Sequence, residues 1–404
     1  MIKNIKKILI AITFVFFITG VAFSYSPVQL YDDVWMLIDA KYLERDANLE
    51  NWRGWRHKYD DKIKNKDDAK VAIETMLASL NDPYTRYLDV EEFKEENDSI
   101  KGSLKGIGIQ IGVKDEKLTV IAPIEDTPAD VAGIKENDLI LKIDGVSTQG
   151  MTVKEAADKI RGAEGTSVDL LIKRGDVEKT YTIQRANIQL KAVSTNPPNG
   201  VKIPDDMGYI RLSTFLNKNA YKEVADALSA QQSKQGYILD LRSNPGGLLS
   251  NAIIISDIFL KGCKIVSTVD KDGYKETQKA SVNILTNKPL VVLINGGSAS
   301  ASEILSGALK DNCRATLIGT KSFGKGLVQE INKLPDNSGI NITTQKYLTP
   351  NGTDIHKKGI TPDIVVELTE KDIESKKDIQ LEKAEEVLRN LIKNHQYTIK
   401  CGCF

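Results

Sequence analysis

Histidine is scarce in this chain. Among 404 residues there are three, at His57, His356 and His395, so histidine-based catalysis has little choice of base. Cysteine is sparse too, at Cys263, Cys313, Cys401 and Cys403, and an exported chain permits disulfides. Cys263 and Cys313 lie in or beside apolar stretches and read as packed thiols. Cys401 and Cys403 form a Cys-x-Cys pair that makes a poor zinc site, and neither a metal nor a cofactor is expected. Net charge is absent, with 55 basic against 55 acidic residues. No basic excess points to nucleic acid as a partner. There is no repeat at solenoid spacing and no low-complexity tract. What remains is an ordinary globular composition, 41% hydrophobic and 27% charged, in a chain long enough for two or three domains.

Long apolar runs are confined to the beginning. Lys3, Lys6 and Lys7 precede an apolar run from Ile8 to Phe23. A basic segment followed by such a run reads as an export signal. It is short of the ~20 residues that span a bilayer comfortably. Ala22 and Ser24 offer small residues for cleavage, interrupted by Phe23 and Tyr25. Residues 1–25 are thus a signal peptide or an uncleaved signal anchor, and the protein is expected outside the cytoplasm, secreted, periplasmic or tethered to the membrane.

Residues 26–101 read as helical. Ser26-Pro27 is a helix start, and Val28, Tyr31, Trp35, Ile38 and Tyr42 repeat at helical spacing. A second helix runs near Asp68–Leu80 and stops at Asn81-Asp82-Pro83. A third covers Val90 to about Asn97. From 102 to 186 short β-rich runs alternate with glycine turns. From 187 to 370 strands alternate with helices, the pattern of an α/β layered core. Residues 371–404 hold a final helix, Ile379–Lys393, and a tail. The fold class is mixed α/β.

Residues 102–112 read Gly-Ser-Leu-Lys-Gly-Ile-Gly-Ile-Gln-Ile-Gly. Glycines at the start of an exposed strand let backbone N–H groups converge on a carboxylate while the strand edge pairs with a peptide. Thr127-Pro128-Ala129, Ala132-Gly133-Ile134, Asp138-Leu139-Ile140 and Ile143-Asp144-Gly145 follow. This series resembles a PDZ domain, and the resemblance makes Gly106, Ile107, Gly108 and Ile109 the carboxylate loop.

Residues 290–305 run from an apolar strand through Asn-Gly-Gly-Ser-Ala-Ser-Ala-Ser-Glu into a helix. A turn at a strand end, with a helix N-terminus behind it, is a common way to present a nucleophile. Ser298, Ser300 and Ser302 compete, and each also reads as a helix cap. A serine needs a base. His356 is the conventional candidate, and lysine is the alternative. Lys325 stands between Gly324 and Gly326, where the backbone turns tightly. A lysine base must fall from ~10.4 to roughly 7–8, a shift of about 3–5 kcal/mol that burial can supply. Gln329 lies four residues on, and even spacing in an extended segment puts both side chains on one face.

Ser-Ala-Ser-Ala-Ser-Glu at 298–303, followed by Gly-Thr-Lys-Ser-Phe-Gly-Lys-Gly at 319–326, resembles the carboxyl-terminal-processing (tail-specific) serine proteases. The family's order of a middle serine, a lysine 25 residues on and a glutamine four further falls on Ser300, Lys325 and Gln329. Ser298, Ser302 and Lys321 then stand aside. Asp240-Leu241-Arg242-Ser243-Asn244-Pro245-Gly246-Gly247 also fits, and implies an oxyanion hole from the N–H groups of Gly246 and Ala301. Asn81–Tyr87 looks like the family's segment before its PDZ domain. Arg161 matches a PDZ arginine that in some members contacts the protease core and favours the active state. The resemblance implies a layered β/α core of the crotonase/ClpP-like spiral type and a homodimer formed through the N-terminal helices. It implies cleavage of protein or peptide substrates near their free C-termini by a Ser–Lys dyad, after PDZ recognition of an apolar tail. The reading from another class is a PDZ scaffold on a silent core.

Overall fold

A computed structural model describes residues 25–44, 51–114, 116–124, 127–135, 137–189, 191–369, 372, 375 and 377–394. The predicted export signal up to residue 24, His395 and the Cys401/Cys403 pair lie outside these residues. Helix α1 (Pro27–Lys41) starts where the sequence predicts. The Ser26 hydroxyl accepts the Gln29 N–H, and the Gln29 amide oxygen accepts the Ser26 N–H. With α2 (Lys66–Ala78) it buries Tyr31, Val34, Trp35 and Ile38 against Ile73 and Met76. Strand β1 (Arg86–Leu88) and helix α3 (Val90–Ile100) follow.

Strand β2 (Ser103–Gly106) leads into a sheeted module. Its elements are β3 (Ile109–Lys114), β4 (Lys117–Pro123), α4 (Pro128–Val131), β5 (Leu139–Ile143), β6 (Val146–Ser147), α5 (Val153–Ile160), β7 (Ser167–Arg174) and β8 (Val177–Gln184). The strand order is β3-β4-β5-β7-β8, with β6 beside β5, so β3 is an edge. Ile107, Val120, Ile140, Leu170 and Ile172 fill a core of the module's own. Strand β9 (Ala186–Gln189) returns and pairs antiparallel with β2. The two chain segments that join the module to the rest are thus zipped together.

The remaining elements build two sheets. They are β10 (Val193–Ser194), β11 (Met207–Leu212), α6 (Ala220–Ala230), β12 (Gly236–Asp240), α7 (Leu249–Phe259), β13 (Lys264–Asp270), β14 (Lys275–Lys279), β15 (Leu290–Ile294), α8 (Ala301–Asp311), β16 (Thr316–Gly319), β17 (Leu327–Lys333), β18 (Gly339–Leu348), β19 (Ile364–Val365) and α9 (Ile379–Lys393). The first sheet runs β10-β11-β12-β15-β16-β19, parallel from β11 onward. Helices α6, α7 and α8 pack on one face, and α9 packs on the other through Leu381, Ala384 and Leu388. Burial on both faces explains the unbroken apolar run Leu-Val-Val-Leu-Ile in β15.

The second sheet, β1-β18-β13-β14 with β17 beside β18, is antiparallel. Its strands carry Thr, Gln, Lys and Glu and lack clean alternation, which hides them from a hydrophobic-periodicity reading. One expectation is corrected: Cys263 and Cys313 are disulfide-bonded, not packed thiols.

Candidate active site

The apolar strand β15 ends at Ile294, and the chain turns through Asn295–Ala299 into α8. Ser300 caps that helix with φ 55° and ψ −113°. A non-glycine residue rarely adopts positive φ, and strain of this kind gathers at functional turns. The three serines now separate. Ser298 is fully buried, and its hydroxyl donates to the Leu241 carbonyl at 2.8 Å and accepts the Asn295 N–H at 3.0 Å. Ser302, also fully buried, donates to the Asn244 carbonyl at 2.9 Å. The Ser300 side chain faces the Glu303 N–H in a capping box but forms no well-made cap hydrogen bond there. Among the described residues, its hydroxyl alone of the three donates to no carbonyl.

Glu303 organises the site, and the sequence reading gave it no role. It is fully buried. Its Oε2 accepts the N–H of Ser300 and the N–H of Lys325, each at 2.9 Å. Its Oε1 accepts the Gly324 N–H at 2.7 Å and the Ser322 hydroxyl at 2.5 Å. One carboxylate oxygen therefore joins the backbones of the two predicted catalytic residues. Tyr347 makes a second clasp. Its hydroxyl lies 2.7 Å from the Lys325 carbonyl oxygen and 3.1 Å from that of Ser300. The signal available in the sequence was Ser300-x-x-Glu303, a capping-box pattern, and in isolation it reads as a helix cap.

Lys325 is half-buried. Desolvation pushes its ammonium below the usual lysine range. Asp82 and Glu96 oppose that shift, and Arg86 adds to it. Its Nζ stands over the Tyr84 ring, 4.4 Å from the centroid. Lys321 is exposed. Gln329 departs from expectation. Strand β17 begins only at Leu327 and carries a bulge between Val328 and Gln329, which breaks the two-residue alternation. The Gln329 amide donates to the Thr343 hydroxyl at 3.2 Å and makes no hydrogen bond to Lys325. His356 packs its backbone against Gly326, and its Nδ1 is buried without a partner. No hydrogen bond joins it to Ser300.

The Asn244–Gly247 turn abuts the nucleophile segment. A Cβ on Gly246 would lie 2.7 Å from the Ala299 carbonyl oxygen and 2.9 Å from the Ser300 Cβ, so only glycine fits that approach, at φ +98°. The Gly246 N–H, an expected oxyanion donor, is taken by Asn244 Oδ1 at 2.9 Å. The N–H groups of Ala301 and Gly247 have no partner among the described residues. Behind the turn, Arg242 pairs with Asp240 at 2.7 Å and with Asp378 at 2.8 Å, anchoring it to the first turn of α9.

In the sheeted module, Gly106 pairs with Ala186 and Ile107 is buried in the module core. Gly108 has φ +82°, and a Cβ there would meet Thr127 at 2.3 Å. Its carbonyl accepts the Ile124 N–H at 2.8 Å and the Thr127 hydroxyl at 3.2 Å. The N–H groups of Ile107 and Gly108 have no partner among the described residues, beside the open edge of β3 that starts at Ile109. Arg161 follows α5 and pairs with Glu95 of α3 at 2.6 Å. Helix α3 in turn packs on β18, where Phe93 lies under Gly339. Arg161 thus joins the module to the body that carries the serine.

Comparisons with known proteins agree with this anatomy. Residues 206–366 match peptidase family S41, and residues 119–174 match the PDZ domain. A carboxyl-terminal-processing protease of Synechocystis is 44% identical over 88% of this chain and 85% of its own length. The carboxy-terminal processing protease CtpA of Bacillus subtilis is 41% identical over 76% of this chain and 66% of its own. A solved photosystem II D1 C-terminal processing protease superposes with a TM-score of 0.60 at 30% identity, covering 90% of this chain and 97% of that one. With its PDZ module and a strained serine elbow on an α/β core, the chain belongs to the carboxyl-terminal-processing proteases of peptidase family S41.

Proposed function

We propose that this protein is an exported endopeptidase that cleaves protein substrates near their C-termini by a Ser–Lys dyad, after its PDZ module takes up an apolar tail. The observation that carries the dyad is the shared Glu303 oxygen. It holds the N–H of Ser300 and of Lys325 on one atom, so the one serine of the cluster whose hydroxyl donates to no carbonyl among the described residues and a desolvated lysine come from neighbouring backbone. In the reaction, Ser300 Oγ attacks the scissile carbonyl as Lys325 Nζ accepts its proton. The tetrahedral oxyanion is met by the Ala301 N–H and a second donor from the Gly246–Gly247 turn. Lys325 returns the proton to the departing amine, and water then opens the acyl-enzyme by the same route in reverse. Gln329 would assist only after exchanging its Thr343 partner for Lys325. The two free N–H groups beside the β3 edge support capture of a terminal carboxylate, with the tail added as a strand. The basic-then-apolar start of the chain supports export.

The test is cleavage of a quenched-fluorescence peptide with a free, apolar C-terminus. Ser300→Ala and Lys325→Ala should be inactive, while Lys321→Ala and His356→Ala should turn over at near wild-type rates. Substantial activity in Lys325→Ala, or its loss in His356→Ala with the fold intact, would replace the lysine by the histidine.

A further inference from the structure

The Lys325 ammonium does not rest on the serine. It rests on the face of Tyr84, 4.4 Å from the ring centroid, and no hydrogen bond or ion pair claims it among the described residues. The ring is not there by chance of a mobile loop. Tyr84 N–H donates to Asp82 Oδ1 at 2.9 Å, and the Thr85 hydroxyl donates to Asp82 Oδ2 at 2.7 Å. Thr85 is buried, and its hydroxyl accepts the Thr343 N–H of β18 at 3.0 Å. The Thr343 hydroxyl accepts the Gln329 amide at 3.2 Å. One continuous set of hydrogen bonds therefore ties the Tyr84 backbone to β18 and engages the Gln329 amide with Thr343.

A ring face attracts a cation through its quadrupole and offers a neutral amine little. The platform is thus selective for the protonated lysine, which is the form that cannot act as a base. The charged groups around it are Asp82 of the same loop, Arg86 at the start of β1, Glu96 of α3, Glu303 of α8, and His356 with Asp354 beside Gly326. Glu303 is spent on its four donors. Asp82 is spent on Tyr84 and Thr85, and Glu96 on Arg86 and Asn341.

We propose that Tyr84 is a positioning residue: its ring docks the protonated Lys325 off Ser300, and the lysine leaves the ring as it loses its proton and joins the serine. This rests on Lys325 being the base.

The experiment is the pH profile of kcat/KM for the full chain, on a quenched-fluorescence peptide with a free apolar C-terminus. Wild type is compared with Tyr84→Leu and Tyr84→Phe, and Lys325→Ala is assayed in parallel. Removing the ring face destabilises the ammonium, so the acid limb of Tyr84→Leu should move to lower pH by about half a unit to one unit, with KM little changed. Tyr84→Phe keeps the ring and should restore the wild-type limb. Tyr84→Met carries the same test if Tyr84→Leu does not fold. An unmoved limb in Tyr84→Leu, or an equal shift in Tyr84→Phe, overturns the proposal. Activity in Lys325→Ala overturns the dyad itself. An inactive Lys325→Ala with an unmoved Tyr84→Leu limb removes Tyr84 alone.

Discussion

Replacing Glu303 by Gln tests whether one buried carboxylate assembles the site. The side chain keeps its shape but exchanges one acceptor oxygen for an amide NH2 donor. If the NH2 faces Ser300 and Lys325, two backbone N–H groups meet a donor. If it faces the other way, the Ser322 hydroxyl can rotate and accept, and only the Gly324 N–H is orphaned. The second arrangement is cheaper. An unsatisfied buried N–H costs about 1–3 kcal/mol. The hydrogen bonds that survive lose the added strength of a charged acceptor, roughly 1 kcal/mol each. The sum is about 3–5 kcal/mol, a large share of a domain's ~5–15 kcal/mol. Glu303→Gln should therefore melt many degrees below wild type, and it should lose kcat more than KM, because the defect lies between Ser300 and Lys325. Thermal unfolding followed by circular dichroism, with steady-state peptide cleavage, reads both effects. A variant within about threefold of wild-type kcat, melting at the wild-type temperature, would refute the reasoning, since four donors cannot lose their charged acceptor at no cost.

Three further outcomes follow from the same geometry. Burial holds the Lys325 ammonium below the usual lysine range, so the neutral amine gains population as pH rises, and kcat/KM should climb with pH along a limb lying below 10.5. Arg86 favours the neutral amine, so Arg86→Gln should move that limb to higher pH; a shift to lower pH contradicts the assignment. Ser300→Gly and Ser300→Ala should both be inactive, but the glycine accepts φ 55° without the steric cost an alanine pays. It should be the more stable of the two by up to about 1 kcal/mol after its extra unfolded-state entropy, and equal denaturation midpoints would argue against strain. Gly108→Ala drives a Cβ to 2.3 Å from Thr127 at φ +82°. Calorimetric titration with a peptide of free apolar C-terminus should show binding lost, whereas retained affinity would move the carboxylate site elsewhere.

Much of this was legible in the sequence where period and chemistry coincide. The apolar β15, the Ser26-Pro27 start of α1 and the glycine turns of the PDZ module each announce themselves locally. Ser300 did not. Its three-serine cluster gave no local reason to choose, and the choice becomes physical only when Leu241 and Asn244, some sixty residues upstream, take the hydroxyls of Ser298 and Ser302. The Thr343 partner of Gln329 is hidden from the sequence because a bulge is a property of two paired strands, and β18 is not visible in the Lys325–Gln329 segment. The second sheet was missed for the same reason: β13, β17 and β18 are held by pairing rather than by a stripe of apolar residues. Glu303 was hidden by an innocent local meaning, a glutamate three residues after a serine at a helix start. The cysteines were read from their surroundings, and surroundings do not reveal a covalent bond.

Helix α3 holds two adjacent glutamates that look in different directions. Neighbouring residues on a helix project about 100° apart, so Glu95 meets Arg161 of the PDZ module while Glu96 meets Arg86 and Asn341 of the body. The helix therefore bridges the PDZ module and the body, and its second arm ends two residues from the ring that carries the lysine. The stiffness of that linkage has a ceiling. Arg161 and Glu95 are both partly exposed, and such a pair is worth about 0–1 kcal/mol. An effect carried through this pair alone can shift an equilibrium at Lys325 by at most about fivefold. Any larger coupling between the module and the body needs a further contact.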